Sequence, residues 1–170
     1  MNDLLDMSRI EAGNLEVRRQ ICHLPDLVER AAQRAHPPPG EHLHLQFSPG
    51  MPALIADPRR IEVVLRNLIE NAAKYGNGQG AIVVGATWDE TEVVIRVEDE
   101  GPGIPMEHSD HIFDSFYRVE DGLTRAQPGA GLGLAIAQGF VRAHGGKIWI
   151  EPRETGTTVA FSLPLNGDEA

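Results

Sequence analysis

The run Ile61–Tyr75, Ile-Glu-Val-Val-Leu-Arg-Asn-Leu-Ile-Glu-Asn-Ala-Ala-Lys-Tyr, constrains this chain more than any other stretch. Asp57-Pro58 ahead of it supplies a capping residue and a proline suited to a first helical turn. No glycine interrupts the run before Gly76, which can end the helix. Wound at about 100° per residue, Ile61, Val64, Leu65, Leu68, Ile69 and Ala72 make one broad apolar face. Glu62, Arg66 and Glu70 fall on the opposite side. Asn67, Asn71 and Lys74 form a separate stripe, roughly 60° wide, along the edge of the apolar face. Two amide oxygens suit a hard cation such as magnesium, and an ammonium beside them suits a phosphate. A solvated edge of a core helix has the same pattern.

The 170 residues, 41% of them hydrophobic, are enough for one domain with a real core. Apolar runs fall far short of the roughly 18 residues a membrane span needs. No signal-peptide pattern opens the chain. Cys22 is the lone cysteine, so no disulfide framework or cysteine metal site is available. A cytoplasmic setting is the expectation. With 25 acidic against 15 basic residues the net charge is −10, which argues against non-specific nucleic-acid binding. An anionic ligand would need a local cluster of donors.

Taken in order, Leu4–Gly13 has helical spacing, ends at Gly13-Asn14 and has no N-terminal cap, so it reads as the tail of a longer helix. Leu24–Ala35 is a second helix, entered through Pro25 and closed by Pro37-Pro38-Pro39-Gly40. Leu43–Phe47 alternates as a strand, with His42 and His44 as rim residues. Ala81–Trp88 and Glu92–Glu98 read as a hairpin through Asp89-Glu90-Thr91. About 25 residues with little periodicity follow, Pro105–Gly129, and a connection of that length is usually functional. Gly129–Leu134 runs into a helix that reaches about His144 and is stopped by Gly145-Gly146, and Lys147–Glu151 and Thr157–Leu163 are closing strands. His36 and His144 lie near helix ends, where a cation suits the dipole.

Two glycine motifs flank the long connection. Asp99-x-Gly101-x-Gly103 sits where a buried strand leaves the sheet. Its glycines let the backbone come close to a flat ligand, and its carboxylate can accept from an exocyclic amine. An ordinary Gly-Pro-Gly turn with Asp as local cap fits equally well. Gly129-x-Gly131-x-Gly133 opens a helix, where free N–H groups and the dipole favour an anion, unless the glycines serve only as a hinge. It is not the dinucleotide fingerprint, because the spacing differs and no strand precedes it.

The order of these pieces is more specific than any one of them. Asn67–Tyr75, Asp99–Ile104, Ile112–Arg118 and Gly129–Leu134 resemble, in sequence order, the N box, first glycine box, phenylalanine box and second glycine box of one family. That family is the ATP-binding catalytic domain of sensor histidine kinases, in the superfamily shared with gyrase, Hsp90 and MutL. Gly156-Thr157-Thr158 with Phe161 and Leu163-Pro164 resembles its closing motif. Residues 113–118 and 139–146 are also similar to its potassium- and turgor-sensing branch. The resemblance implies a two-layer α/β sandwich of the Bergerat type, a mixed sheet of about five strands covered by three helices. It implies residues 1–18 as the end of the dimerisation helix. Residues 19–170 are then the catalytic ATP-binding domain, with a mobile lid at about 105–130.

The resemblance also implies roles. Asn71 ligates Mg2+, with Asn67 beside it. Lys74 and Tyr75 line the phosphate and sugar side of ATP. Asp99 takes the adenine amino group in a pocket shaped by Gly101, Gly103 and Ile104, and Thr157 supports Asp99 through a water. Phe113 and Phe116 anchor the lid, and Arg118 and Arg125 reach the phosphates. Gly129, Gly131 and Gly133, with Leu132 and Leu134, hold the triphosphate. Asn71, Lys74 and Arg118 then carry the phosphoryl transfer. No histidine here has the acidic neighbour and following Arg-Thr-Pro of the family's phospho-acceptor, so the acceptor helices are expected outside this chain. The implied partners are those dimerisation helices and a response regulator, with any membrane contact made through upstream parts. ATP-hydrolysing relatives, the competing class, carry a glutamate four residues before the metal asparagine. Here that position is Asn67, and Glu70 points about 100° away from Asn71. A nucleotide-binding adaptor without catalysis is the third alternative.

Overall fold

The computed structural model describes residues 3–36, 39, 42–75, 80–104, 106–117, 131–151 and 153–165. Local chemistry sets the element boundaries. α1 (Asp3–Glu11) stops where Gly13 takes a φ of 71°. There Asn14 N–H reaches the Arg9 carbonyl at 3.0 Å and Gly13 N–H reaches Ile10 at 3.1 Å, which satisfies two end carbonyls. β1 (Gln20–Cys22) leads into α2 (Leu24–Arg34), which has proline in its first turn and buries Leu24, Leu27, Val28 and Ala31. β2 (Leu43–Phe47) and β3 (Leu54–Ala56) precede α3 (Pro58–Tyr75). Asp57 caps α3 as expected, its Oδ1 accepting from the N–H groups of Arg59 at 3.1 Å and Arg60 at 3.4 Å. β4 (Ile82–Trp88) and β5 (Glu92–Asp99) form the hairpin, whose turn closes on Asp89 Oδ1 through Thr91 and Glu92 N–H. A short 3-10 turn, Met106–His108, opens the long connection. α4 (Gly133–Ala143), β6 (Ile148–Glu151) and β7 (Thr157–Pro164) complete the described elements.

The main sheet runs β2-β4-β5-β7-β6, with β2 parallel to β4 and the other neighbours antiparallel. Val93, Ile95 and Val97 of β5 and Phe161 and Leu163 of β7 are buried, paired Val93↔Leu163 and Ile95↔Phe161. Ile61, Val64, Leu65, Leu68 and Ile69 of α3 are buried in the same core, with Ile136 and Phe140 of α4. α2, α3 and α4 make the helical layer expected from the sequence. α1 is a fourth helix and packs on α4, where Ile10 fills the space beside Gly139. On the far face of the sheet Arg96 Nε bonds both carboxylate oxygens of Glu151 at 3.1 Å, across the buried Ala160 of β7.

The structure differs from the sequence expectation in three places. First, β1 and β3 pair antiparallel as a separate two-stranded sheet, Gln20↔Ala56 to Cys22↔Leu54. Three-residue strands are too short to show alternation, so sequence pattern misses them. Second, the polar side of α3 is covered by α2, which the periodicity of α3 alone does not show. Glu62 and Arg66 are buried, and Glu62 is gripped from α2 by Arg34 at 2.7 Å and Arg30 at 3.5 Å. Third, His144 is not a helix-end cation. It is 3% exposed, its Nδ1–H donates to Phe140 O at 2.7 Å, and its Nε2 accepts from Asp57 N–H at 3.0 Å. A ring that donates at one nitrogen and accepts at the other is neutral, and burial holds its pKa below the ordinary histidine value. Arg19 and Arg60 nearby push the same way, while Asp57 and the Phe140 carbonyl oppose. No described helix is long and apolar enough to cross a membrane.

Candidate functional site

The first half of the site is built where β5 leaves the sheet. Asp99 is 7% exposed, yet its carboxylate is held by Gly101 N–H at 2.9 Å and by the backbone N–H of Thr157, its β7 partner. Burial pushes the Asp99 carboxyl pKa up, and the two N–H groups and Arg153 oppose the shift. Arg153 Nη1 also donates to the Asp99 carbonyl at 3.0 Å. A carboxylate that accepts from two N–H groups keeps acceptor capacity for an amine.

Glycine is required around Asp99 by close approach. Gly156 has a φ of 80°, and a Cβ there would lie 1.9 Å from the Asp99 carbonyl oxygen. Gly103, at φ 82°, would place its Cβ 3.0 Å from the Gly156 carbonyl. The sequence reading counts Gly103 in the site and leaves Gly156 in the closing motif. Its position directly before Thr157 was the available signal. Gly101 and Ile104 are half-buried at the same corner.

The second half lies between α3 and α4. Asn67 is buried, and its Nδ2–H donates to the Gly133 carbonyl at 2.9 Å. This bond brings the N-box helix and the second glycine box together. Asn71 and Lys74 follow along α3, half-buried, with Lys74 in the last turn. Tyr75 ends the helix; its side chain lies outside the described residues. Leu132 is buried just before α4, and Gly133 and Leu134 begin it half-buried. Leu132, the N-cap residue of α4, makes no side-chain cap hydrogen bond, so among the described residues no cap takes up the N–H groups of the first turn.

Gly131 joins the two ends of the long connection. Its φ is 72°, its carbonyl accepts from Phe116 N–H at 3.0 Å, and a Cβ on it would meet Phe116 and Tyr117 backbone at 2.9 Å. Phe116 and Tyr117 therefore meet Gly131 at one seam. Arg118, Arg125 and Gly129 lie outside the described residues, as do Gly76 and Pro37-Pro38. Phe116 does not anchor through its ring, which is 62% exposed on a backbone of φ 66°; Phe113 is half-buried, and the buried anchor of this stretch is Ile112. The rings of His108 and His111 lie against Tyr117, and His108 Nδ1 hydrogen-bonds its hydroxyl.

Comparison with known proteins agrees with this geometry. Residues 56–167 match the family described as histidine kinase-, DNA gyrase B- and HSP90-like ATPase, and the chain belongs to that family. Sensor histidine kinases are among the proteins it is similar to. Sensor histidine kinase WalK of Bacillus subtilis is 35% identical over 99% of this chain and 28% of its own length. Sensor protein KdpD of Escherichia coli is 35% identical over 96% of this chain and 18% of its own. The chain thus spans less than a third of either relative. Among solved structures, full-length ShkA in complex with AMPPNP matches with a TM-score of 0.81 at 28% identity, over 96% of this chain and 34% of that one. The nucleotide-free catalytic domain of histidine kinase ThkA matches with a TM-score of 0.73 at 29% identity, over 87% of this chain and 98% of that one. The fold is the α/β sandwich of that catalytic domain, and the chain is an ATP-binding domain of the histidine-kinase type.

Proposed function

We propose that this chain binds Mg·ATP and presents the γ-phosphoryl group to a histidine on dimerisation helices of the same kinase, for onward use by a response regulator. The observation that carries the reading is Asp99: a buried carboxylate, held by Gly101 and Thr157 N–H, at a corner cleared by Gly103 and Gly156. It accepts from the exocyclic amine of adenine, in a pocket that Ile104 helps line. Asn71 supplies one amide oxygen to magnesium, which suits an ion that keeps several waters and takes most other ligands from substrate phosphates. When bound, that ion neutralises charge on the phosphates. Lys74, Arg118 and Arg125 add positive charge there, and Tyr75 lines the sugar side. Gly129, Gly131 and Gly133, with Leu132 and Leu134, hold the triphosphate with backbone N–H groups. Catalysis is then positioning and charge stabilisation, with no nucleophile supplied by this chain. The domain division proposed with this is residues 1–18 as the end of the dimerisation helix and 19–170 as the catalytic domain. The kinase works on the cytoplasmic side, with any membrane anchor in other parts of the protein.

Hydrolysis is the second reading, and two contacts weigh against it. Asn67 is an amide and cannot act as a base. Glu70, the nearest acid along α3, is turned away to His36 N–H at 3.1 Å and Arg66 at 3.8 Å. The test is label transfer from γ-labelled ATP, with and without an acceptor helix pair. The isolated chain should neither retain label nor release phosphate quickly, because an acceptor held in line is worth many kcal/mol. Adding the helix pair should label a histidine on it, and Asn71→Ala should abolish that labelling with the fold intact. Stable label on this chain alone, or fast phosphate release that survives Asn71→Ala, would refute the reading.

A further inference from the structure

α3 and α4 are tied together twice. At one end His144 accepts from Asp57 N–H; at the other Asn67 donates to the Gly133 carbonyl. The second tie falls on the first residue of α4, whose Gly133 would place a Cβ only 3.6–3.8 Å from Cγ, Cβ and Nδ2 of Asn67. The Asn67 amide therefore lies directly against the start of α4. Among the described residues this helix has no side-chain N-cap, its N-cap residue being Leu132. A cap would hold the first turn by consuming its N–H groups, which are the groups an anion needs. A donor that grips a carbonyl of that turn holds it and leaves the N–H groups available.

Resting on the Mg·ATP reading, we propose that Asn67 is a positioning residue and not a ligand of metal or phosphate: its N–H, donated to Gly133, fixes the first turn of α4 in the orientation the triphosphate requires. A carboxylate at this position has the right shape but no proton to donate. The clip and a hydrolytic base are mutually exclusive at residue 67. The amide therefore both builds the cradle and withholds the base.

Asn67→Ala and Asn67→Asp separate the two roles, measured in the 170-residue chain beside the parent and His144→Gln. Calorimetry uses ATP with Mg2+, ATP with EDTA, and adenosine; hydrogen exchange follows the nucleotide-free proteins. As a clip, both Asn67 variants weaken ATP by about fivefold, the order of one net buried hydrogen bond, with or without Mg2+. Adenosine binding stays unchanged, and exchange at Leu134–Ala137 speeds up in both. His144→Gln, which loosens the far end, leaves ATP affinity unchanged. The proposal is overturned if Asn67→Asp keeps or gains Mg·ATP affinity while the Asn67→Ala loss vanishes in EDTA, since a carboxylate is the better magnesium ligand. Unchanged exchange at the start of α4 in Asn67→Ala also overturns it. If the parent itself binds no ATP, the nucleotide reading has failed, and the exchange comparison alone decides the clip.

Discussion

Gly156→Ala tests how tightly the Asp99 corner is built, and Gly13→Ala provides its control. The two glycines share a left-handed backbone, with φ of 80° and 71°. An L-residue there costs about 1–2 kcal/mol at either position. Their surroundings differ. A Cβ on Gly13 meets nothing within 4 Å, whereas one on Gly156 would lie 1.9 Å from the Asp99 carbonyl oxygen, where 3.0 Å is the closest that real contacts reach. The β5 and β7 ends must then separate by about 1 Å, because a close-packed interior has no slack to absorb the clash. The separation breaks the Asp99↔Thr157 pairing, worth about 1 kcal/mol for each net hydrogen bond. The total for Gly156→Ala is about 2–3 kcal/mol, or a melting temperature lowered by roughly 5–10 °C in a domain of this size. Gly13→Ala should show the backbone cost alone. Displacing Thr157 also removes a donor from the Asp99 carboxylate, so ATP binding should weaken in Gly156→Ala and not in Gly13→Ala. Calorimetric melting and ATP titration of both variants supply the comparison. A Gly156→Ala protein that melts no lower than Gly13→Ala and binds ATP like the parent would refute the reasoning.

Asp99→Asn should lose about 1.5–3 kcal/mol of ATP affinity by titration, the worth of a charge-assisted hydrogen bond. Since burial raises the folded pKa of Asp99, its stabilising contribution is present below the unfolded carboxylate value and lost as pH rises through the folded value. The unfolding free energy of nucleotide-free Asp99→Asn relative to the parent should therefore improve from acid to neutral pH. His144 has the opposite sense: its folded pKa is depressed, so its stabilisation is present above the unfolded value of about 6.5 and is lost as pH falls toward the folded value. Urea unfolding should show a parent stability that drops below that pH more steeply than in His144→Gln; equal slopes would remove His144 from the acid sensitivity. Gly139→Ala places a Cβ 2.5 Å from Ile10 Cδ1 and should lift α1 from α4, which limited proteolysis after Glu11 would detect as faster cleavage than in the parent.

Much of the architecture was legible in the sequence because it rests on local chemistry. The α3 boundary follows from Asp57, Pro58 and an uninterrupted helical period, and the hairpin from two β-rich runs around Asp89. The ordered boxes point to the family that the chain belongs to. What sequence could not show depends on residues far apart in the chain meeting in space. β1 and β3 are each three residues long and exist only because they pair with each other. Glu62 reads as a polar-face residue until Arg30 and Arg34 arrive from α2. His144 is held neutral by its burial, with its Nε2 accepting from Asp57 N–H, 87 positions away. The resemblance makes Phe116 a lid anchor, but the seam with Gly131 holds its backbone and leaves the ring exposed. Spacing puts Asn67 on one stripe of α3 with Asn71 and Lys74. Only tertiary structure decided what its amide does, because the Gly133 carbonyl it serves lies 66 positions further along the chain. Helix caps and periodicity are properties of a few neighbouring residues; protonation, clipping and close approach belong to pairs that folding creates.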